Sequence, residues 1–191
     1  TAAGDKFFGN LGNDTLKGLA GNDLLFGGYG DDKLDGGDGN DRLVGGYGSD
    51  TLIGGNGNDF IRTGVAGAGN VDLYAETAKD TVDAGAGNDR VIVDIGDVAL
   101  GGSGVDTLVL QSRPSDKGAA PLLKLDFALI TSAKVQTFGL GTTAAGQFEN
   151  VDVSLDGLKA GSTLAGTAGE DRLVFGIVPP SDGGPLTGSG Q

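Results

Sequence analysis

The chain has no cysteine, no histidine, no methionine and no tryptophan. These absences exclude disulfides, zinc and copper centres of the usual kind, histidine general bases, and any Ser/His or Cys/His nucleophile pair. Aromatic residues are scarce, three tyrosines and eight phenylalanines in 191 residues, so a conventional aromatic core is not expected. No apolar run approaches the roughly 18 residues of a membrane-spanning helix. The opening TAAGDKFFGN lacks the basic start and apolar stretch of a cleaved export signal, and it begins in mid-repeat, which reads as a piece of a longer chain.

What the chain does have is glycine and aspartate. There are 39 glycines, and Asp+Glu 26 stand against Lys+Arg 13 for a net charge of −13. Such a surface repels phosphate backbones and anionic lipid, so the expectation is no nucleic acid partner and no direct membrane insertion. Without nitrogen or sulfur ligands, metal binding is left to oxygen. Oxygen ligands select hard cations, calcium first among them.

The aspartates are periodic. Asp5, Asp14, Asp23, Asp32, Asp41, Asp50 and Asp59 follow one another at a spacing of nine, and two residues after each stands Phe7, Leu16, Leu25, Leu34, Leu43, Leu52 or Ile61. Two residues before the aspartate come Gly12, Gly21, Gly30, Gly39, Gly48 and Gly57, with Ala3 the exception. Helix is excluded because each glycine inside one costs about 1 kcal/mol relative to alanine. Collagen is excluded because glycine does not recur at every third position.

The unit is therefore a six-residue turn, GGxGxD, followed by a three-residue strand whose central apolar residue points inward. Two units make an 18-residue coil, and stacked coils make two parallel sheets. In that stack Asp14 lies over Asp32, carboxylates come within about 5 Å, and the column is repulsive without a cation between its members.

The stretches GGYGDDKLD, GGDGNDRLV, GGYGSDTLI and GGNGNDFIR (27–62) resemble the RTX, or repeats-in-toxin, calcium-binding nonapeptides. The resemblance implies an all-β fold, a right-handed parallel β-roll. It also implies that each ion takes the second and fourth carbonyls and the aspartate of one turn with the first and third carbonyls and the aspartate of the turn two units later. On one edge Asn10, Gly12 and Asp14 would then face Gly27, Tyr29 and Asp32, and Gly28, Gly30 and Asp32 would face Gly45, Tyr47 and Asp50. On the other edge Thr1, Ala3 and Asp5 would face Gly18, Ala20 and Asp23. Leu19, Gly21 and Asp23 would face Gly36, Asp38 and Asp41, and Gly37, Gly39 and Asp41 would face Gly54, Asn56 and Asp59.

After Arg62 the register slips, with aspartates at Asp72, Asp80, Asp89, Asp97 and Asp106. This reads as the same roll with irregular turns. Its best site joins Gly85, Gly87 and Asp89 to Gly101, Ser103 and Asp106, with Asp80 and Asp97, and Asp72 and Asp89, as further pairs. The expected cofactor is calcium, about five to eight ions in all. Residues 1–110 are the roll, 111–165 a β-rich cap over its open end, and 166–191 a degenerate repeat around Asp171 followed by a linker.

Other readings fit less of the pattern. A flexible linker does not keep apolar residues in register. A phosphate-binding loop needs a lysine and a following helix, and the EF-hand string is absent. Paired carboxylates suit glycoside hydrolysis, but a periodic column is better explained by metal, so no enzyme activity is expected in this chain. Tyr29 and Tyr47, 18 apart at the same turn position, suggest a sugar-binding aromatic face or two exposed carbonyl suppliers.

The resemblance implies a calcium-dependent folding module of a large secreted bacterial protein, with the type I secretion machinery as partner and an extracellular or cell-surface location. The parent is a secreted protease, lipase or epimerase, a toxin, or an adhesin or surface-layer scaffold, and no motif names a cell-surface or protein ligand.

Overall fold

In the computed structural model, the described residues are 3–64, 78–94, 97–111 and the short strands 124–126, 136–138, 143–146, 150–154 and 163–165. Thr1, Asp72 and the Asp171 repeat lie outside them. Sixteen strands are present among the described residues, and the chain alternates between two sheets. β1 (Lys6–Leu11), β3 (Leu24–Tyr29), β5 (Arg42–Tyr47), β7 (Phe60–Arg62), β9 (Arg90–Asp94) and β11 (Thr107–Gln111) stack side by side in one. β2 (Thr15–Ala20), β4 (Lys33–Asp38), β6 (Thr51–Asn56), β8 (Thr81–Ala86) and β10 (Val98–Ser103) stack in the other. Every pairing among these is parallel, as in a β-roll.

The strands are longer than the motif suggests. β1 to β6, β8 and β10 run six residues, not three, and include the first three residues of the GGxGxD turn. The reason is the glycine at the second turn position, which bends the strand without ending it. Gly37 has φ +102°, and its partners Leu19 and Gly55 pair with it across both neighbouring coils. Only three residues remain to reverse the chain.

Alternation along each strand makes the interior. Leu25, Leu34, Leu43, Leu52, Ile61, Val82, Val91 and Leu108, one per strand, are fully buried. Each stabilises by about 1.5–3 kcal/mol relative to exposure. Phe7 and Leu16, on the terminal coil, are only half-buried because no coil covers them.

The coil period is 18 as far as Asp59, then 30 for one step, then 17. The stack thus absorbs an insertion of 12 residues between β7 and β8 without losing register, since Thr51 pairs with Thr81 and Phe60 with Arg90. Beyond β11, β12 (Lys124–Asp126) pairs with β16 (Thr163–Ala165), apart from the roll. β14 (Thr143–Gly146) extends one sheet beside β10, and β15 (Asn150–Ser154) extends the other beside β11. β13 (Gln136–Phe138) joins β14 antiparallel.

Candidate metal centre

Each turn ends in an aspartate, and the coils place these in two columns. One edge carries Asp5, Asp23, Asp41, Asp59, Asp89 and Asp106, and the other Asp14, Asp32, Asp50, Asp80 and Asp97. In both, the backbone N–H of one aspartate donates to Oδ1 of the next. The bond from Asp14 to Asp32 is 2.8 Å, from Asp32 to Asp50 2.9 Å, from Asp23 to Asp41 2.7 Å and from Asp41 to Asp59 2.8 Å. The terminal turn at Asp5 joins in the same way, donating to Asp23 at 2.6 Å.

The second oxygen is the informative one. Oδ2 of Asp14, Asp23, Asp32, Asp41, Asp59 and Asp89 is buried and accepts no hydrogen bond. Its surroundings are also acceptors. A Cβ built on Gly9 would stand within 2.6 Å of both Asp14 Oδ2 and the Gly27 carbonyl oxygen. The same convergence joins Asp23 to Gly36 at Gly18, Asp32 to Gly45 at Gly27, and Asp41 to Gly54 at Gly36. Glycine opens the turn because any side chain there would fill the space between carboxylate and carbonyl. A buried carboxylate facing a carbonyl with no donor costs several kcal/mol.

The carboxyl groups register that cost. Burial, outweighing the Asp14 N–H bond, raises Asp32 above the ordinary range, and repulsion from Asp14 and Asp31 adds to it. Asp41 is raised by burial and by Asp23 and Asp35. Asp59 is pushed up to about 7, first by burial and then by Asp89 and Asp41. Asp89 is raised by burial as well.

Such a site fits a hard cation. Among the described residues no three carboxylates gather to hold a metal, so backbone carbonyls must supply the rest of the shell. The fourth-position N–H of each turn donates to the third-position carbonyl of the next coil, Gly12 to Tyr29 at 2.8 Å, Gly21 to Asp38 at 2.9 Å, Gly30 to Tyr47 at 2.8 Å and Gly39 to Asn56 at 2.7 Å. Those third-position carbonyls keep one lone pair for a cation.

Asp89 stacks on Asp59, at 2.7 Å from its N–H, while Asp72, the partner expected for it, lies outside the described residues. That junction repeats the regular geometry. Asp59 Oδ2 converges with the Ala84 carbonyl at Gly54, and Gly57 N–H donates to the Ala86 carbonyl at 2.7 Å. Ala84 and Ala86 were missed because a fixed period cannot reach across 30 residues. The Asp89 turn then meets the Asp106 turn through Asp89 N–H to Asp106 Oδ1 and Gly87 N–H to the Ser103 carbonyl, both 2.8 Å, with Gly85 paired to Gly102 and Gly101 buried beside it.

Asp80 does stack on Asp97, at 3.1 Å, but Asp97 lacks an orphaned oxygen. Its Oδ2 accepts the Thr63 hydroxyl at 2.7 Å and the Asp94 N–H at 2.9 Å. A carboxylate so provided for does not fit the ion expected there.

A second ladder runs beside the aspartates, one residue earlier. Asn13 Oδ1 accepts from Asp31 N–H at 3.0 Å, Asn22 from Asn40 at 2.8 Å, Asn40 from Asn58 at 2.7 Å and Asn58 from Asn88 at 2.8 Å. These side chains reach forward to the next coil where the aspartates reach back. The recurrent Asn before Asp was the available signal.

Tyr29 and Tyr47 stack on each other with centroids 4.7 Å apart and planes 11° from parallel. The stacking turns one face of each ring to the other, and Tyr29 stays exposed.

No helix among the described residues is long and apolar enough to cross a membrane. No curated protein and no solved structure matches the chain. The family model of the RTX calcium-binding nonapeptide repeat (4 copies) matches residues 8–43, 35–65 and 63–91. Residues 8–91 thus carry the RTX calcium-binding nonapeptide repeat.

Proposed function

We propose that this chain is a calcium-dependent folding module of a large bacterial protein exported by a type I secretion system, unfolded at cytosolic calcium and folded outside the cell. One observation carries the reading: the row of buried aspartate oxygens without a donor. Calcium, when bound, supplies the positive charge that such oxygens and the carbonyls beside them need.

The proposed ligands are the turn pairs set out above for residues 1–59, the pair joining Gly85, Gly87 and Asp89 to Gly101, Ser103 and Asp106, and one more that bridges the insertion. In that bridging site Gly55, Gly57 and Asp59 face Ala84, Ala86 and Asp89. Residues 111–165 act as the cap, a role supported by the pairing of β14 with β10 and of β15 with β11. At tenfold excess over its dissociation constant each site contributes about 1.4 kcal/mol, so the seven proposed sites supply about 10 kcal/mol, the stability of an ordinary domain.

Circular dichroism tests the proposal. In chelator the chain is expected to be mostly coil, and to gain β signal cooperatively at sub-millimolar to millimolar calcium but not with magnesium, which demands a smaller octahedral shell. A full β spectrum in chelator refutes it.

A further inference from the structure

The turn between β7 and β8 opens with Thr63, where the six regular turns before it open with glycine. The alignment is set by hydrogen bonds. Gly46 N–H donates to the Thr63 carbonyl at 2.9 Å, and Thr63 N–H donates to the Ile92 carbonyl at 3.1 Å. The Thr63 carbonyl lies 2.7 Å from where a Cβ on Gly45 would stand, just as the Gly45 carbonyl lies 2.5 Å from that point on Gly27.

A side chain at this position has one place to go. In the regular turns a Cβ on the opening glycine collides with Oδ2 of that turn's own aspartate, the space between the two coils' ligands. Thr63 is fully buried, and its hydroxyl spans the same gap, from the coil of Asp80 to the coil of Asp97, donating to Asp97 Oδ2 at 2.7 Å. Asp94 N–H donates to the same oxygen at 2.9 Å, and Asp80 N–H to Oδ1 at 3.1 Å. Asp97 therefore has three protein donors, whereas Asp14, Asp23, Asp32, Asp41 and Asp59 each keep an Oδ2 that accepts no hydrogen bond.

We infer that Thr63 takes the place of an ion: its hydroxyl, with the Asp94 amide, closes the Asp80–Asp97 step without calcium and sets the number of ions the roll holds. The inference rests on the reading of the regular turns as calcium sites. It makes Thr63 a positioning residue, one that joins the coils on either side of the insertion in the folded roll without an ion of its own.

Equilibrium dialysis with calcium and the calcium midpoint by circular dichroism, on the full chain, test this together. Thr63→Gly restores the regular opening and is expected to bind one more calcium per chain than the wild type. Thr63→Val keeps the bulk but loses the donor; it is expected to bind the same number of ions with the midpoint raised, and with amide protection over 78–97 reduced about ten-fold or more at limiting calcium. Thr63→Ser should match the wild type in all three. A folded Thr63→Gly chain with an unchanged ion count overturns the inference, as does a Thr63→Val chain with unchanged midpoint and protection. Failure of the regular turns to bind calcium shows separately, as a wild-type chain that is fully β in chelator.

Discussion

Gly12 and Gly37 both have φ +102°, yet they stand in different surroundings. A Cβ on Gly12, at the open end of the roll, meets nothing within 4 Å, whereas on Gly37 it collides with the Leu19 carbonyl of the preceding coil. Alanine at either site carries the same backbone strain, about 1.5 kcal/mol, because L-residues disfavour positive φ. Gly37→Ala adds an overpacking cost of about 2 kcal/mol, since the obstacle is backbone and cannot rotate away. If folding is coupled to about seven ions, a destabilisation is spread over seven binding terms, and the calcium midpoint rises by the exponential of the cost over 7RT. The result is about 1.4-fold for Gly12→Ala and about 2.3-fold for Gly37→Ala, readable by circular dichroism or calorimetric calcium titration. Both variants keep their carbonyls, so a lost ligand does not confuse the comparison. Equal shifts refute the stacking of Gly37 on Leu19.

Leu19 has φ +77° and is 65% exposed, so Leu19→Gly relieves strain and loses little burial. It is expected to stabilise by about 0.5–1 kcal/mol and to lower the calcium midpoint slightly, which thermal melts at fixed calcium check. Asp59 links stability to pH, its carboxyl standing at about 7 in the roll against an ordinary 3.8. Because the folded value is the higher one, the metal-free roll is best tolerated below 3.8 and loses stability as pH rises to about 7. In chelator, residual β signal should therefore increase as pH falls through that window. Calcium needs the ionised form, so its midpoint should rise as pH drops from about 8 to about 5.5; a midpoint independent of pH contradicts the burial of these carboxylates.

Much of the molecule was legible because one phrase recurs at a constant length. A nine-residue period with glycine at the second and fourth turn positions, and with one apolar residue two places after each aspartate, forces equal half-coils. Leu25, Leu34, Leu43 and Leu52 must then share one interior, and Asp14, Asp32 and Asp50 must share one edge. The absence of histidine and cysteine had already reduced the ligand chemistry to oxygen.

What spacing does not contain is the identity of neighbours once the period breaks. The step from Asp59 to Asp89 follows from strand pairing between Phe60 and Arg90, a contact between segments 30 residues apart that no local pattern announces. The extension of the strands into the turns is of the same kind, since Gly37 continues the sheet because Leu19 and Gly55 lie on either side of it. So is the bond of Thr63 to Asp97, two residues of unremarkable context that meet only when the coils stack. The sequence by itself determined the repeat, its oxygen ligands and its thin apolar core, because those depend on residues a fixed distance apart along the chain. The tertiary structure alone decided which turns face one another across the insertion and which aspartate is left without need of an ion, because those depend on hydrogen bonds between coils.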